Sequence, residues 1–64
     1  MSVAEKIKTL RKSKGMSQKK LGEELGVKQN TIHCWETGRN EPTIFNCIVM
    51  ADYFGITLDE LCGR

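Results

Sequence analysis

Three observations predict an all-α domain of five helices. Apolar residues recur at helical spacing, Ser or Thr caps and glycines alternate as starts and stops, and no segment shows the two-residue alternation of a half-buried strand. Ser2 and Glu5 form an S-x-x-E capping pattern ahead of Val3, Ile7 and Leu10, which fall at i, i+4 and i+7. A first helix is therefore expected over about residues 3–14, ended by Gly15. Ser17 is placed to cap a second helix that turns Leu21 and Leu25 inward and stops at Gly26, a residue suited to the positive φ of a sharp turn. A third helix is expected from about Lys28 to Glu36, burying Ile32 and Trp35 until Thr37 and Gly38 end it. After a loop over 38–42, Thr43 can cap a fourth helix running to Phe54, which Gly55 ends. Thr57 and Glu60 repeat the capping box for a last turn or two reaching Cys62.

With 64 residues the chain has room for one core and one domain, 1–64, and none for a separate ligand-sensing module. Three widely spaced cysteines, Cys34, Cys47 and Cys62, fit neither a disulfide framework nor paired zinc-site spacings, so a reduced cytoplasmic protein is expected. No apolar run approaches the roughly 20 residues that span a bilayer, and the opening Met1, Ser2, Val3, Ala4, Glu5 lacks a signal-peptide pattern, so no membrane role is expected. His33 beside Cys34 is an isolated pair in a chain with one histidine, which argues against a metal site. Phosphate loops, HExxH and nucleophile elbows are absent, so neither enzyme chemistry nor a cofactor is expected.

The net charge of +2 is small but unevenly spread. Residues 1–39 hold nine basic and four acidic side chains, a net of +5, while residues 40–64 carry −3. A basic half facing a polyanion would explain the asymmetry, and a solvated charged face would explain any single cluster equally well.

The decisive stretch is 17–38, SQKKLGEELGVKQNTIHCWETG. Two short helices joined through Gly26 can cross steeply only over a small residue, the service Gly22 can provide, while Leu21, Leu25, Val27, Ile32 and Trp35 fill the angle. That packing frees Lys28, Gln29, Asn30, Thr31 and His33 to face outward, all able to donate hydrogen bonds, as readout of base edges in the DNA major groove requires.

The same residues resemble the Cro/Xre-type family of phage and bacterial repressors. The likeness rests on Ser17, Gln18, Leu21, Gly22, Gly26, Val27, Ile32, Trp35, Glu36, Gly38 and Pro42 in register, and Asn46, Ala51, Gly55 and Leu58-Asp59-Glu60-Leu61 are similar to the family's C-terminal helices. It implies a compact five-helix, lambda-repressor-like fold with its helix-turn-helix at about 17–37, binding a double-stranded DNA operator as a homodimer and most often repressing transcription. It further implies base contacts from Lys28, Gln29 and His33, with Asn30 and Thr31 beside them at bases or phosphates. Phosphate contacts are implied for Gln18, Arg39 and Asn40 and expected also of Lys19, Lys20 and Arg11, and Arg11 matches an arginine that pairs with the equivalent of Glu36 in several relatives.

Two departures stand out. Lys28 occupies a position where relatives often place a Ser, Thr or Asp cap for the third helix. On the fourth helix, Ile44, Cys47, Ile48, Ala51 and Phe54 are expected inward, yet Phe45, Val49 and Tyr53 repeat at i, i+4 and i+8 on the other side. That stripe suggests a dimer face, unless the last helix folds over it. It would equally suit a toxin or other regulatory protein, the main alternative function being an antitoxin-like or adaptor module. Trp35 is expected in the core rather than stacking on bases, Cys47 in the core, Cys62 on the terminal helix, and Cys34 partly exposed with a minor redox alternative.

Overall fold

The computed structural model describes residues 2–63, so Met1, and Arg64 with its charge, lie outside the described residues. Five helices follow in order, α1 (Val3–Ser13), α2 (Gln18–Leu25), α3 (Gln29–Thr37), α4 (Ile44–Phe54) and α5 (Leu58–Leu61), with no strand among the described residues. Their starts follow from the caps. The Ser2 hydroxyl accepts the Glu5 amide at 3.2 Å while the Glu5 carboxylate reaches back to Ser2, and Thr57 with Glu60 repeats the box ahead of α5. Ser17 and Thr43 accept the amides of Lys20 and Asn46 at 3.0 and 3.2 Å. Lys28, at the head of α3, makes no side-chain cap bond, as its chemistry dictates.

The crossing of α2 and α3 depends on two glycines with different duties. Gly26 ends α2 with φ 74°, in the left-handed region. Gly22 needs no special φ but lacks room for a side chain, since a Cβ there would lie 2.7 Å from the Val27 carbonyl oxygen and 3.3 Å from the Gln29 nitrogen. Both obstacles are backbone, so neither can swing aside. The absence of one methyl at Gly22 is what lets the turn into α3 rest directly on α2.

Ile7, Leu21, Ile32, Met50 and Leu61 are fully buried, with Trp35, Cys47 and Ala51 nearly so. Burying each of the large side chains contributes about 1.5–3 kcal/mol, so a few residues carry the core. α3 packs chiefly on α2 and α1, while α5 closes the far end against α4 and α1. Trp35 is a core residue at 4% exposure, as its spacing from Ile32 predicts.

Three expectations are corrected. Ile44 and Ile48, expected inward on α4, are 65% and 47% exposed, and Met50 takes the innermost place beside Cys47 and Ala51. A helix apolar on nearly every side carries no directional signal of its own, so the shape of the surrounding core sets its rotation. The stripe of Phe45, Val49 and Tyr53 therefore does not form one outward face. Phe45 is 70% exposed and Val49 half-buried, whereas Tyr53 turns onto the core. Its hydroxyl lies 3.3 Å from the Glu24 carboxylate and 3.6 Å from the Met16 sulfur, its ring meets Phe54 edge-on at 5.2 Å, and Lys14 Nζ stands 5.3 Å from the ring centre. The outward apolar patch on α4 is instead Ile44, Phe45 and Ile48. Cys34, expected to be partly exposed, is buried, and its carbonyl receives the Arg39 and Asn40 amides at 3.0 and 3.3 Å as the chain turns back under α3.

Candidate nucleic-acid interface

Burying Ile32, Cys34 and Trp35 leaves a polar side on α3. Gln29, Asn30 and His33 are exposed there, Lys28 is exposed at its head, and Thr31 is half-buried at the edge facing the fold. Lys19 and Lys20 stand exposed in the first turn of α2, with Lys20 Nζ 3.9 Å from the Glu24 carboxylate, while Gln18 is half-buried between α2 and α3. Arg39 and Asn40 are exposed in the turn after α3, where Gly38 at φ 78° reverses the chain. The basic half of the sequence thus holds α1, α2 and α3, and the acidic half holds α4 and α5.

Beneath this surface runs a chain of hydrogen bonds that ties four segments together. Arg11 of α1 grips Glu36 of α3 with two bonds, Nε to Oε2 at 2.6 Å and Nη2 to Oε1 at 3.0 Å. Its third arm, Nη1, donates to the Met16 carbonyl at 2.7 Å, which fixes the α1–α2 turn. Gln18 Nε2 donates to Glu36 Oε1 at 3.1 Å and lies 3.4 Å from His33 Nδ1. The side chains of Arg11 and Glu36 are 11% and 3% exposed, so this is a desolvated pair rather than a surface one. Burial works to raise the Glu36 carboxyl, but the hydrogen bonds from Arg11 and Gln18 and the nearby positive charges outweigh it and hold the group below the ordinary carboxylate range. The bond to Glu36 likewise raises Arg11, against the pull of desolvation.

The network changes the part that two side chains can play. Arg11, expected at a phosphate and in a pair with Glu36, has its guanidinium bound to Glu36 and Met16. The Gln18 side-chain amide is turned inward to Glu36 and His33, which leaves the first backbone N–H groups of α2 and the lysines beside it as the outward donors. Reading the sequence missed Met16 and Met50. A carbonyl acceptor leaves no mark in the residue type, and Met50 sits among apolar neighbours on every side of α4, so periodicity did not single it out.

Among the described residues no group of three His, Cys, Asp or Glu could hold a metal ion, and no helix is long and apolar enough to cross a membrane. The three cysteines are free thiols.

Comparison with known proteins accords with this geometry. Residues 7–61 match the model of the family described as Helix-turn-helix. The chain is 33% identical over 64 residues to the cryptic phage CTXphi transcriptional repressor RstR of Vibrio cholerae, covering 100% of this chain and 57% of that protein. It is 34% identical over 61 residues to the HTH-type transcriptional activator BcrR of Enterococcus faecalis, covering 95% and 30%. It therefore spans about half or less of the length of these relatives, which are regulators of transcription rather than enzymes. Among solved structures, the P22 c2 repressor in complex with a synthetic operator superimposes with a TM-score of 0.90 at 27% identity, covering 98% of this chain and 96% of that one. With the match extending from α1 to α5, and the helix-turn-helix built over Gly22 and Gly26, the chain belongs to the helix-turn-helix family of the Cro/Xre type.

Proposed function

We propose that the protein is a sequence-specific regulator of transcription that binds double-stranded DNA, reads the major groove with α3 and represses by occupying an operator. The observation that carries this is the pinned α3, whose outward side chains Lys28, Gln29, Asn30 and His33 are all hydrogen-bonding groups and whose inward side is locked to α1 and α2. Base readout needs both features, because donors and acceptors discriminate bases only when their positions are fixed. Lys19, Lys20, Arg39, Asn40 and the first amides of α2 supply the phosphate contacts that set register, and Thr31 joins them at the groove edge. The P22 c2 repressor, so similar in shape, was crystallised on an operator, which supports the same docking here. Repression is favoured over activation because occlusion requires only occupancy, although one relative is an activator.

The protein acts as a homodimer, placing two copies of α3 in major grooves about 34 Å apart. Support comes from Ile44, Phe45 and Ile48 on α4, the large apolar side chains most open to water among the described residues. The same patch is the one observation favouring a second reading, capture of a toxin or other regulatory protein.

Selection from a randomised duplex pool, followed by titration of the enriched duplex at two salt concentrations, tests the proposal. A two-fold symmetric motif whose binding weakens steeply with salt is expected. No enrichment by folded protein would refute it. Sedimentation of Phe45→Asp on the enriched duplex tests the patch, with loss of the two-to-one complex expected. A two-to-one complex that survives the substitution would assign the patch to a different protein.

A further inference from the structure

We propose that His33 is a specificity-determining residue that offers DNA a single N–H donor, because the hydrogen-bond chain from Arg11 through Glu36 and Gln18 fixes which ring nitrogen carries the proton. The proposal rests on the DNA-reading function above and adds the chemistry of one contact to it. Its starting point is Glu36, which is ionised and pinned by two bonds from Arg11, and can therefore only accept. The side-chain amide of Gln18 meets Glu36 Oε1 at 3.1 Å, so it must present its NH2 end there, and the usual ambiguity of amide orientation is removed. That NH2 group has two N–H bonds. One goes to Glu36, and the same nitrogen lies 3.4 Å from His33 Nδ1, within reach of the second.

His33 Nδ1 consequently serves as an acceptor, and the proton of the neutral ring sits on Nε2. The alternative tautomer would place two N–H donors against each other. The far edge of the exposed ring then displays a donor only. In the major groove that donor suits guanine N7 and O6, adenine N7 or thymine O4, and finds no partner on a cytosine, which shows only its N4 donor. Phosphate oxygens share the acceptor chemistry, so the test must separate a base from the backbone. Gln18 is thus a positioning residue acting through His33.

The chain contains one histidine, so the ring nitrogens of 15N-labelled protein can be read without ambiguity in a long-range 1H–15N correlation at about pH 8.5. A single Nε2-protonated form is expected in the parent. Gln18→Leu should release a measurable Nδ1-protonated population. An Nδ1-protonated parent, or the same tautomer ratio in parent and Gln18→Leu, would overturn the lock. For the base-reading half, duplex selection by the parent and by His33→Ala should show one position per half-site where the parent prefers one base pair and where that preference falls about tenfold in the variant. A base preference that is the same at every position in parent and His33→Ala would overturn it, as would a uniform loss on enriched and random duplex alike with a shallower salt dependence, which would place the acceptor on a phosphate. If the folded parent enriches nothing, the DNA-reading function and the base contact fail together, while the tautomer result stands or falls by the spectrum alone.

Discussion

Replacing Glu36 with Ala removes the shared acceptor of Arg11 and Gln18 and leaves a guanidinium whose side chain is 11% exposed without its counter-charge. Breaking a buried pair on one side costs about 3–5 kcal/mol, and the slight access of water to Arg11 favours the lower end, about 3 kcal/mol. In a domain of this size each kcal/mol lowers the melting temperature by about 4–8 °C, so Glu36→Ala should melt roughly 12–24 °C below the parent. Thermal unfolding followed by far-ultraviolet circular dichroism measures this directly. The double variant Arg11→Met/Glu36→Leu should lose far less than the two single changes combined, because no charge is then left stranded. Exposed ion pairs are worth at most about 1 kcal/mol, so a Glu36→Ala loss within that range, or strict additivity in the double variant, would refute the claim of a desolvated anchor under α3.

The same anchor gives stability an acid limit. Because the Glu36 carboxyl is held below its unfolded value of about 4.3, its contribution is complete above that pH and is lost as the pH falls through the folded value. The melting temperature should therefore hold down to about pH 5 and drop more steeply below about pH 4 than that of Glu36→Gln, and equal slopes would contradict the assignment. Gly22→Val would drive a Cβ to 2.7 Å from the Val27 carbonyl oxygen, so the corner must open at a cost of about 1–3 kcal/mol in denaturant titration, and unchanged stability would show that the corner yields freely. Lys28→Ser would supply the cap that α3 lacks, raising stability by about 1 kcal/mol while weakening DNA binding; a gain in both would show that Lys28 is not at the interface.

Punctuation made the helices legible in the sequence. Ser2, Ser17, Thr43 and Thr57 lie where the caps form, and Gly26, Gly38 and Gly55 end their helices in the left-handed region, because these residue types answer to local backbone geometry. The helix-turn-helix was legible for the same reason, down to the close approach at Gly22. The rotation of α4 was not. Ile44, Phe45, Ile48, Val49 and Met50 are interchangeable to a periodicity argument, and only the packed shape of the other helices selects Met50 for the interior. Of the candidate site, the outward residues of α3 could be named in advance, but the inward turn of Gln18 toward Glu36 and His33 is a matter of three-dimensional reach across 18 and 15 residues of chain. The pairing of Arg11 with Glu36 came from family resemblance, and its burial and its third partner, the Met16 carbonyl, belong to the fold.

The most direct test of α3 as the reading element is the ratio of dissociation constants for enriched and random duplex, measured for the parent, Gln29→Ala and Lys20→Ala at matched salt. Both positions are exposed, so stability should not change in either variant. Gln29→Ala should lower the ratio by about tenfold, in the range of one base contact worth 1–3 kcal/mol, whereas Lys20→Ala should weaken both duplexes alike and leave the ratio intact. A Gln29→Ala protein that discriminates as well as the parent would contradict the central claim.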